Sequence, residues 1–416
     1  MVDRIKRKLN RRNLIKASGV AGVTAFAGCI STSDGDGGGD DGDDEGPYTI
    51  GMVDSETGSL SAFGERNQRG KDLALAHVNE VGINDRELEI TVEDDGSENQ
   101  GGISAAQKLV NQDDVPFLIG AVGSGVSVAI YESVIEGSDV VQLSPNSTGV
   151  NLTEFPDLLR MSPSGRAQSV ALADIIAEDG YDSVAVTYVN NEFGQSLYDA
   201  FEEAWDGEIA YESSHDQEES SYSSVMSEMN NADAEAWLFI TYQAEFTTMV
   251  NEAHSSGYEA QFYGADSAQG SGVLEDTPEG SMEGMKITLP SAPIEEDNYQ
   301  EFAEAFEEEY DEEPTSWAAY AYDCVINAAL AIQAADEFSG EALQETVREV
   351  SGPDGEEVTS YEDAHAILAE GGSASDVDYQ GVSGPIDFDE NGDPVGFLQV
   401  VTVEDHEYVD DGFIEG

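Results

Sequence analysis

From Tyr48 onward, short apolar runs alternate with amphipathic stretches of helical period, and this alternation constrains the fold more than any other feature of the chain. "YTIGMVD" precedes "RNQRGKDLALAHVNEVG", "ELEITVEDD" precedes "NQGGISAAQKLVNQ", "VPFLIGAV" precedes "SVAIYESVIEG", and "VVQLSP" closes the series. A second series opens near Ser164: helix "RAQSVALADIIAEDG", strand "SVAVTYVN", helix "GQSLYDAFEEAW", strand "EIAYESS", helix "YSSVMSEMNNA", strand "EAWLFITY", helix "AEFTTMVNEAHSSG", strand "AQFYGAD". Strands alternating with helices of this length predict βαβ units and parallel sheets. Two series, in a body longer than one typical domain of ~100–150 residues, predict two α/β lobes, each built on a doubly wound parallel sheet. From Gly280 no third series begins. Two long helices, "YQEFAEAFEEEYDEEP" and "TSWAAYAYDCVINAALAIQAADEF", a charged helical stretch and a final hairpin, "GPIDFDENGDPVGFLQVVTVEDHEYV", read as additions to the lobes. The chain would then cross between lobes more than once, which suits a multi-strand hinge.

Open parallel sheets bind ligands at the carboxyl ends of their strands. In the first series those ends carry "SETGSLSAFGERNQRG" with Phe63, "AVGSGVS", and "PNSTG". In the second they carry "NEFGQ", "YQAE" and "ADSAQGS", which supply Phe193, Tyr242 and Asp266. One lobe thus offers hydroxyls and free amides, neutral donors for an anion. The other offers aromatic rings and an acid. That division matches a zwitterion, with a carboxylate on one side and an ammonium on the other.

The glycine-rich turn "AVGSGVS" ahead of a helix also suggests phosphate, since helix N-termini bind anions. That turn contains no G-K-[ST], Lys or Arg, and Gly120, Gly123 and Gly125 lack dinucleotide spacing. Charge argues the same way. After residue 28 the chain has nine basic and 86 acidic residues, a net charge of −77. Such a surface repels nucleic acid and anionic lipid, so neither is an expected partner. With 39% apolar residues the chain is too rich in core formers for an acidic disordered polymer, and adaptation to high salt is the expected reason for its acidity. No loop pairs a nucleophile with a His base or sets two carboxylates in acid–base roles. The reading is a binder, not an enzyme.

Residues 1–28 read as an export signal. Arg11–Arg12 precede a short, weakly apolar stretch, and Phe26-Ala27-Gly28-Cys29 resembles a lipobox, which makes Cys29 the expected lipidation site. The segment 29–46, with "STSDGDGGGDDGDDEG", reads as a flexible acidic linker. Cys324 then has no partner and reads as a small buried packing residue. The histidines at 77, 215, 254, 365 and 406 show no metal-ligand spacing, and neither a metal nor another cofactor is expected. "DFDENGD" resembles the start of an EF-hand loop, but Leu398 stands where the bidentate Glu is needed, so a tight turn with Gly392 at positive φ is expected. Asn146 and Asn151 each head a glycosylation sequon, of which Asn151 is the better candidate.

"TGSLSAFGERNQRGKDLALAHVNEVG", "IGAVGSGVS", "LSPNST", "NNEFGQS", "GADS", the "SWAAYAYD" helix and "GPIDFDENGDPVG" together resemble the type I periplasmic binding proteins of ABC importers, in the Leu/Ile/Val-binding branch. The resemblance covers most of Tyr48 to Val403 and implies a Venus-flytrap that binds an amino acid between two lobes. It implies lobes at 47–163 with 291–384, and at 164–290 with 385–416. By the same resemblance, Ser124 and Thr148, with the backbone at Asn146, bind the carboxylate. Asp266 takes the ammonium, and Phe63, Phe193 and Tyr242 line the pocket. The implied partners are ABC permease subunits, and the implied location is the outer face of the cytoplasmic membrane, held by a lipid anchor. Two departures stand out: Asp266 is shorter than the family's usual Glu, and Asn146-Ser147 replaces small apolar residues. Ser124 and Thr148 also suit helix caps. A short-amide or urea binder, a sensory receptor lobe and an enzyme on the same scaffold stay open as alternatives.

Overall fold

The structure is a computed structural model that describes residues 46–415. The export signal, Cys29 and nearly all of the acidic linker lie outside the described residues.

β1 (Tyr48–Asp54), β2 (Leu88–Asp94), β3 (Phe117–Ile119), β4 (Val141–Ser144) and β5 (Leu158–Arg160) form an all-parallel sheet in the order β2-β1-β3-β4-β5. Helices α1 (Ser61–Val81), α2 (Asn99–Asn111) and α3 (Ser124–Ile130), the last extended by a wider turn over Tyr131–Ile135, connect these strands. β3 and β4 are buried throughout, as strands covered on both faces must be. α1 starts at Ser61, five residues before the expected Arg66, because Phe63 and Gly64 already donate to Leu60 O.

The second sheet follows the same logic. α4 (Gly165–Glu178), β6 (Ser183–Val189), α5 (Glu192–Ala204), β7 (Glu208–His215), α6 (Ser223–Asn231), β8 (Ala236–Ile240), α7 (Gln243–Ser256), β9 (Gln261–Gly264), α8 (Ser271–Asp276) and β10 (Lys286–Ser291) alternate. The parallel strands run β7-β6-β8-β9-β10. β10 falls in the stretch from Gly280 that reads only as additions; it closes the second series instead.

α9 (Asp297–Tyr310), α10 (Ser316–Ala334), α11 (Gly340–Glu349), β11 (Glu356–Val358), α12 (Tyr361–Ala369), β12 (Val377–Gly381) and β13 (Gly384–Pro385) then return to the first lobe, where α10 packs along α1. Their approach is close: a Cβ on Gly70 would lie 2.1 Å from Ala318 O. Every residue of α10 from Trp317 to Ile332 is buried, Cys324 included, so this helix is core on all sides. β14 (Phe397–Glu404) and β15 (Glu407–Glu415) finally extend the second sheet, antiparallel, beyond β10. The chain therefore passes between the two sheets three times, after β5, β10 and β13.

The final hairpin differs from its expected span. Its strands turn at Asp405–His406, with φ of 50° and 66°, while 386–396 is a loop. Pro394 lacks the N–H a ladder needs, and the strand begins only at Phe397. Within that loop Gly392 adopts φ 83° as expected, and Asp389 N donates to Asp393 O.

Candidate functional site

The carboxyl ends of the two sheets face each other across a narrow cleft, nearly filled by the side chains that line it. Phe63, Ser124, Asn146, Thr148, Phe193, Tyr242 and Asp266, all the residues expected from the sequence, line it. Leu60, Val122, Gly123, Ser267 and Trp317 line it as well and were not anticipated.

Asp266 follows β9 and is 3% exposed. Its carboxylate accepts from Gln168 Nε2 at 3.1 Å and from Thr148 Oγ1 at 3.3 Å. The second bond joins the loop after β4 to the loop after β9, and so spans the two lobes. Burial pushes the Asp266 carboxyl up to about 6, and the hydrogen bonds from Gln168, the Ser267 backbone and Thr148 hold it from rising further. Among the described residues no cation pairs with it. Gln168 is itself fixed, because its Nε2 also donates to Thr288 O at 2.8 Å. Gln168 Oε1 and the Tyr320 hydroxyl are buried without partners, and the Asp266 charge helps raise the Tyr320 pKa. Oxygen atoms thus gather around the acid.

On the facing wall, Ser124 heads α3 but caps nothing. Its Oγ accepts the Gly149 N–H at 3.0 Å, which leaves its own proton free to donate. The two loops meet so closely that a Cβ on Gly149 would lie 2.8 Å from Ser124 Cβ. Thr148 is not a cap either; it points across the cavity at Asp266. Asn146 is 6% exposed, and neither Oδ1 nor Nδ2 has a partner. Ser147 does not line the cavity: its hydroxyl lies 2.9 Å from Ser127 Oγ, within the first lobe, so it adds no polarity there. Asn151 Nδ2 donates to Glu192 at 2.6 Å, which engages the amide that a glycan would need.

Aromatic rings form the sides. Phe193 and Tyr242 stack at 5.4 Å and 19°, with Asn191 Nδ2 donating to the Tyr242 hydroxyl at 3.0 Å. Phe63 meets Trp317 edge to face at 5.4 Å and 77°. An unpaired buried acid, hydroxyl donors opposite it and rings between them can hold a small molecule with both charges. Charge-assisted hydrogen bonds to buried groups contribute roughly 1.5–3 kcal/mol each.

The family described as periplasmic binding protein matches residues 47–407. The Leu/Ile/Val-binding protein homolog 3 of Brucella melitensis is 28% identical over 226 residues, 52% of this chain; the match spans 61% of that relative, less than two thirds of its length. The Leu/Ile/Val-binding protein homolog 1 of Brucella abortus is 24% identical over 392 residues, 92% of this chain and 94% of the relative. The branched-chain amino acid transporter substrate-binding protein LivJ of Streptococcus pneumoniae, solved in complex with isoleucine, has a TM-score of 0.75 at 21% identity, covering 89% of this chain and 99% of that one. At that identity the likeness carries the fold alone.

Proposed function

The chain belongs to the periplasmic binding protein family, and from that premise we propose that it is the substrate-binding component of an ABC importer, capturing an amino acid, branched-chain or related, between its lobes. The observation that carries this reading is the Thr148–Asp266 pair: a buried acid without a cation, facing hydroxyl donors across one cavity. The ligand carboxylate would take the protons of Ser124 and Thr148 and the backbone at Asn146. Thr148 now donates to Asp266; turning that proton to the carboxylate frees Asp266 for the ammonium. Phe63, Phe193, Tyr242 and Trp317 would pack on the side chain.

Enclosure is essential to such a site. The Debye length is about 3 Å at 1 M salt, so an exposed ion pair would hold nothing in the saline medium the acidic surface suits. The three crossings between sheets fit lobes of 47–163 with 291–384 and 164–290 with 385–416, moving about a hinge. Export, a lipid anchor on Cys29, residence on the outer face of the membrane and delivery to a permease complete the reading. The test is mass spectrometry of ligand retained through purification, followed by calorimetry against amino acids, acetamide and urea. An amino acid retained and bound supports the proposal; binding confined to amides or urea overturns it.

A further inference from the structure

The polar side chains that line the cleft divide by whether the protein itself satisfies them. Ser124 Oγ accepts the Gly149 N–H at 3.0 Å, and Thr148 Oγ1 donates to Asp266 at 3.3 Å. The Tyr242 hydroxyl accepts from Asn191 Nδ2 at 3.0 Å, and Ser267 Oγ donates to Thr241 O at 2.8 Å. Asn146 is the exception. It lines the same cleft, more than nine-tenths buried, and neither Oδ1 nor Nδ2 has a partner in the protein.

The loop that carries Asn146 does not use this amide to hold its shape. Ser147 N donates to Ser144 Oγ at 3.1 Å, and Ser144 Oγ donates in turn to Ala121 O at 2.7 Å. Ser162 Oγ donates to Ser147 O at 3.2 Å, and Arg160 Nη1 to Gly149 O at 2.7 Å. Backbone groups on the C-terminal side of Asn146 are thus held by other side chains, all of them on the first-lobe side. A buried amide with no hydrogen bond has lost its water and gained nothing in exchange. A site that keeps one on its wall is complete only when something else supplies the partner.

An amino acid offers three groups to the cleft. On the reading above, its carboxylate takes Ser124, Thr148 and the backbone at Asn146, and its ammonium takes Asp266. The Asn146 side chain is left for the side chain of the ligand. An amide presents both a donor and an acceptor, so a hydroxyl or a second amide satisfies it and a hydrocarbon does not. The cleft is narrow and nearly filled, which limits the ligand to a short side chain. Granted the amino-acid reading, on which this rests, we propose that the ligand has a short, uncharged polar side chain, of the size of threonine or asparagine, and that Asn146 is the residue that selects it. Leu60 and Val122 supply apolar wall for the carbon atoms of such a side chain.

Two pairs of amino acids test this, because valine has the shape of threonine and leucine nearly that of asparagine. Within each pair chiefly the polar atoms differ. In calorimetric titration of the full chain, the polar member of at least one pair should bind about 10–100-fold more tightly than its apolar counterpart, the equivalent of leaving one buried amide unpaired. Valine and leucine binding as tightly as threonine and asparagine would show that water serves the amide, and would overturn the proposal while leaving the amino-acid reading intact. Failure of all four to bind would remove both. Asn146→Leu keeps the size of the side chain and drops its polar atoms, so the preference should vanish in that variant. A preference that survives there is read by some other group, and Asn146 is then not the selecting residue. The comparison within pairs needs only the unaltered chain, so it decides the matter even if the variant does not fold.

Discussion

Arg160, at the end of β5, and Asp393, in the loop before β14, form a two-pronged ion pair: Nε to Oδ1 at 2.6 Å and Nη2 to Oδ2 at 2.8 Å. The Arg160 side chain is fully buried. Its remaining nitrogen donates to Gly149 O at 2.7 Å and to Ser147 O at 3.3 Å, the carbonyls on either side of Thr148. One guanidinium therefore pins the loop that reaches Asp266 to the last of the three crossings between the sheets.

Replacing Asp393 with Ala should be strongly destabilising, because it leaves Arg160 buried and uncompensated. Such losses run to about 3–5 kcal/mol. Chemical denaturation measures it, and a loss below about 1 kcal/mol would mean that the pair is effectively solvated. Amino-acid affinity should fall as well, since the Ser147–Gly149 backbone would no longer be held.

Asp266→Asn should separate binding from folding. The amide keeps the shape, its Oδ1 accepting from Gln168 and its Nδ2 donating to the Thr148 hydroxyl, so the melting temperature should hold or rise. The ammonium, however, would lose its only charged partner in the cavity. About 10²–10³-fold weaker binding of amino acids is expected in calorimetry, the equivalent of roughly 3–4 kcal/mol. Unchanged affinity would remove Asp266 from the site.

The same acid fixes the direction of a pH effect. Burial raises Asp266 to about 6, above the ordinary 3.8, so protonation stabilises the buried side chain. That contribution is complete below pH 3.8 and is lost as pH rises through about 6. Ligand capture runs the other way, because an ammonium needs the ionised form. Affinity should level off above about pH 7 and fall with increasing steepness below pH 6, approaching about tenfold per pH unit. Calorimetry from pH 5 to 7.5 reads the slope, and Asp266→Asn should show none.

The alternation of periods made both parallel sheets legible, since each strand and helix must bury its own apolar face. It failed where burial was not written in period. β5 is three residues and β10 reads "KITLPS", with a proline, so neither stands out among turns. The cavity was legible to the extent that it sits on strand ends, where Ser124, Asn146, Thr148 and Asp266 follow apolar runs. Trp317 was missed because it enters from the first turn of α10, a helix whose uniform burial masks the one residue facing the cleft. The burial of Asp54 and Asp95 at the ends of the first lobe's strands was illegible for a different reason. Among 86 acids, nothing in the sequence marks the few that are buried, and only packing reveals them.

Asn146 offers a test of what its own position costs. Both polar atoms of its amide are buried without partners, and an orphaned buried polar group destabilises by about 1–3 kcal/mol. Asn146→Ala removes them at the expense of a small cavity, so the protein should become more stable by about 1 kcal/mol in denaturation measured without amino acid. Binding should move in the opposite direction for ligands whose side chains carry a hydroxyl or amide, and should be least affected for leucine. That pairing of a stability gain with a selective affinity loss identifies Asn146 as a ligand-facing group. A stability loss with uniform affinities would instead make it a structural residue of the loop between Ser144 and Gly149.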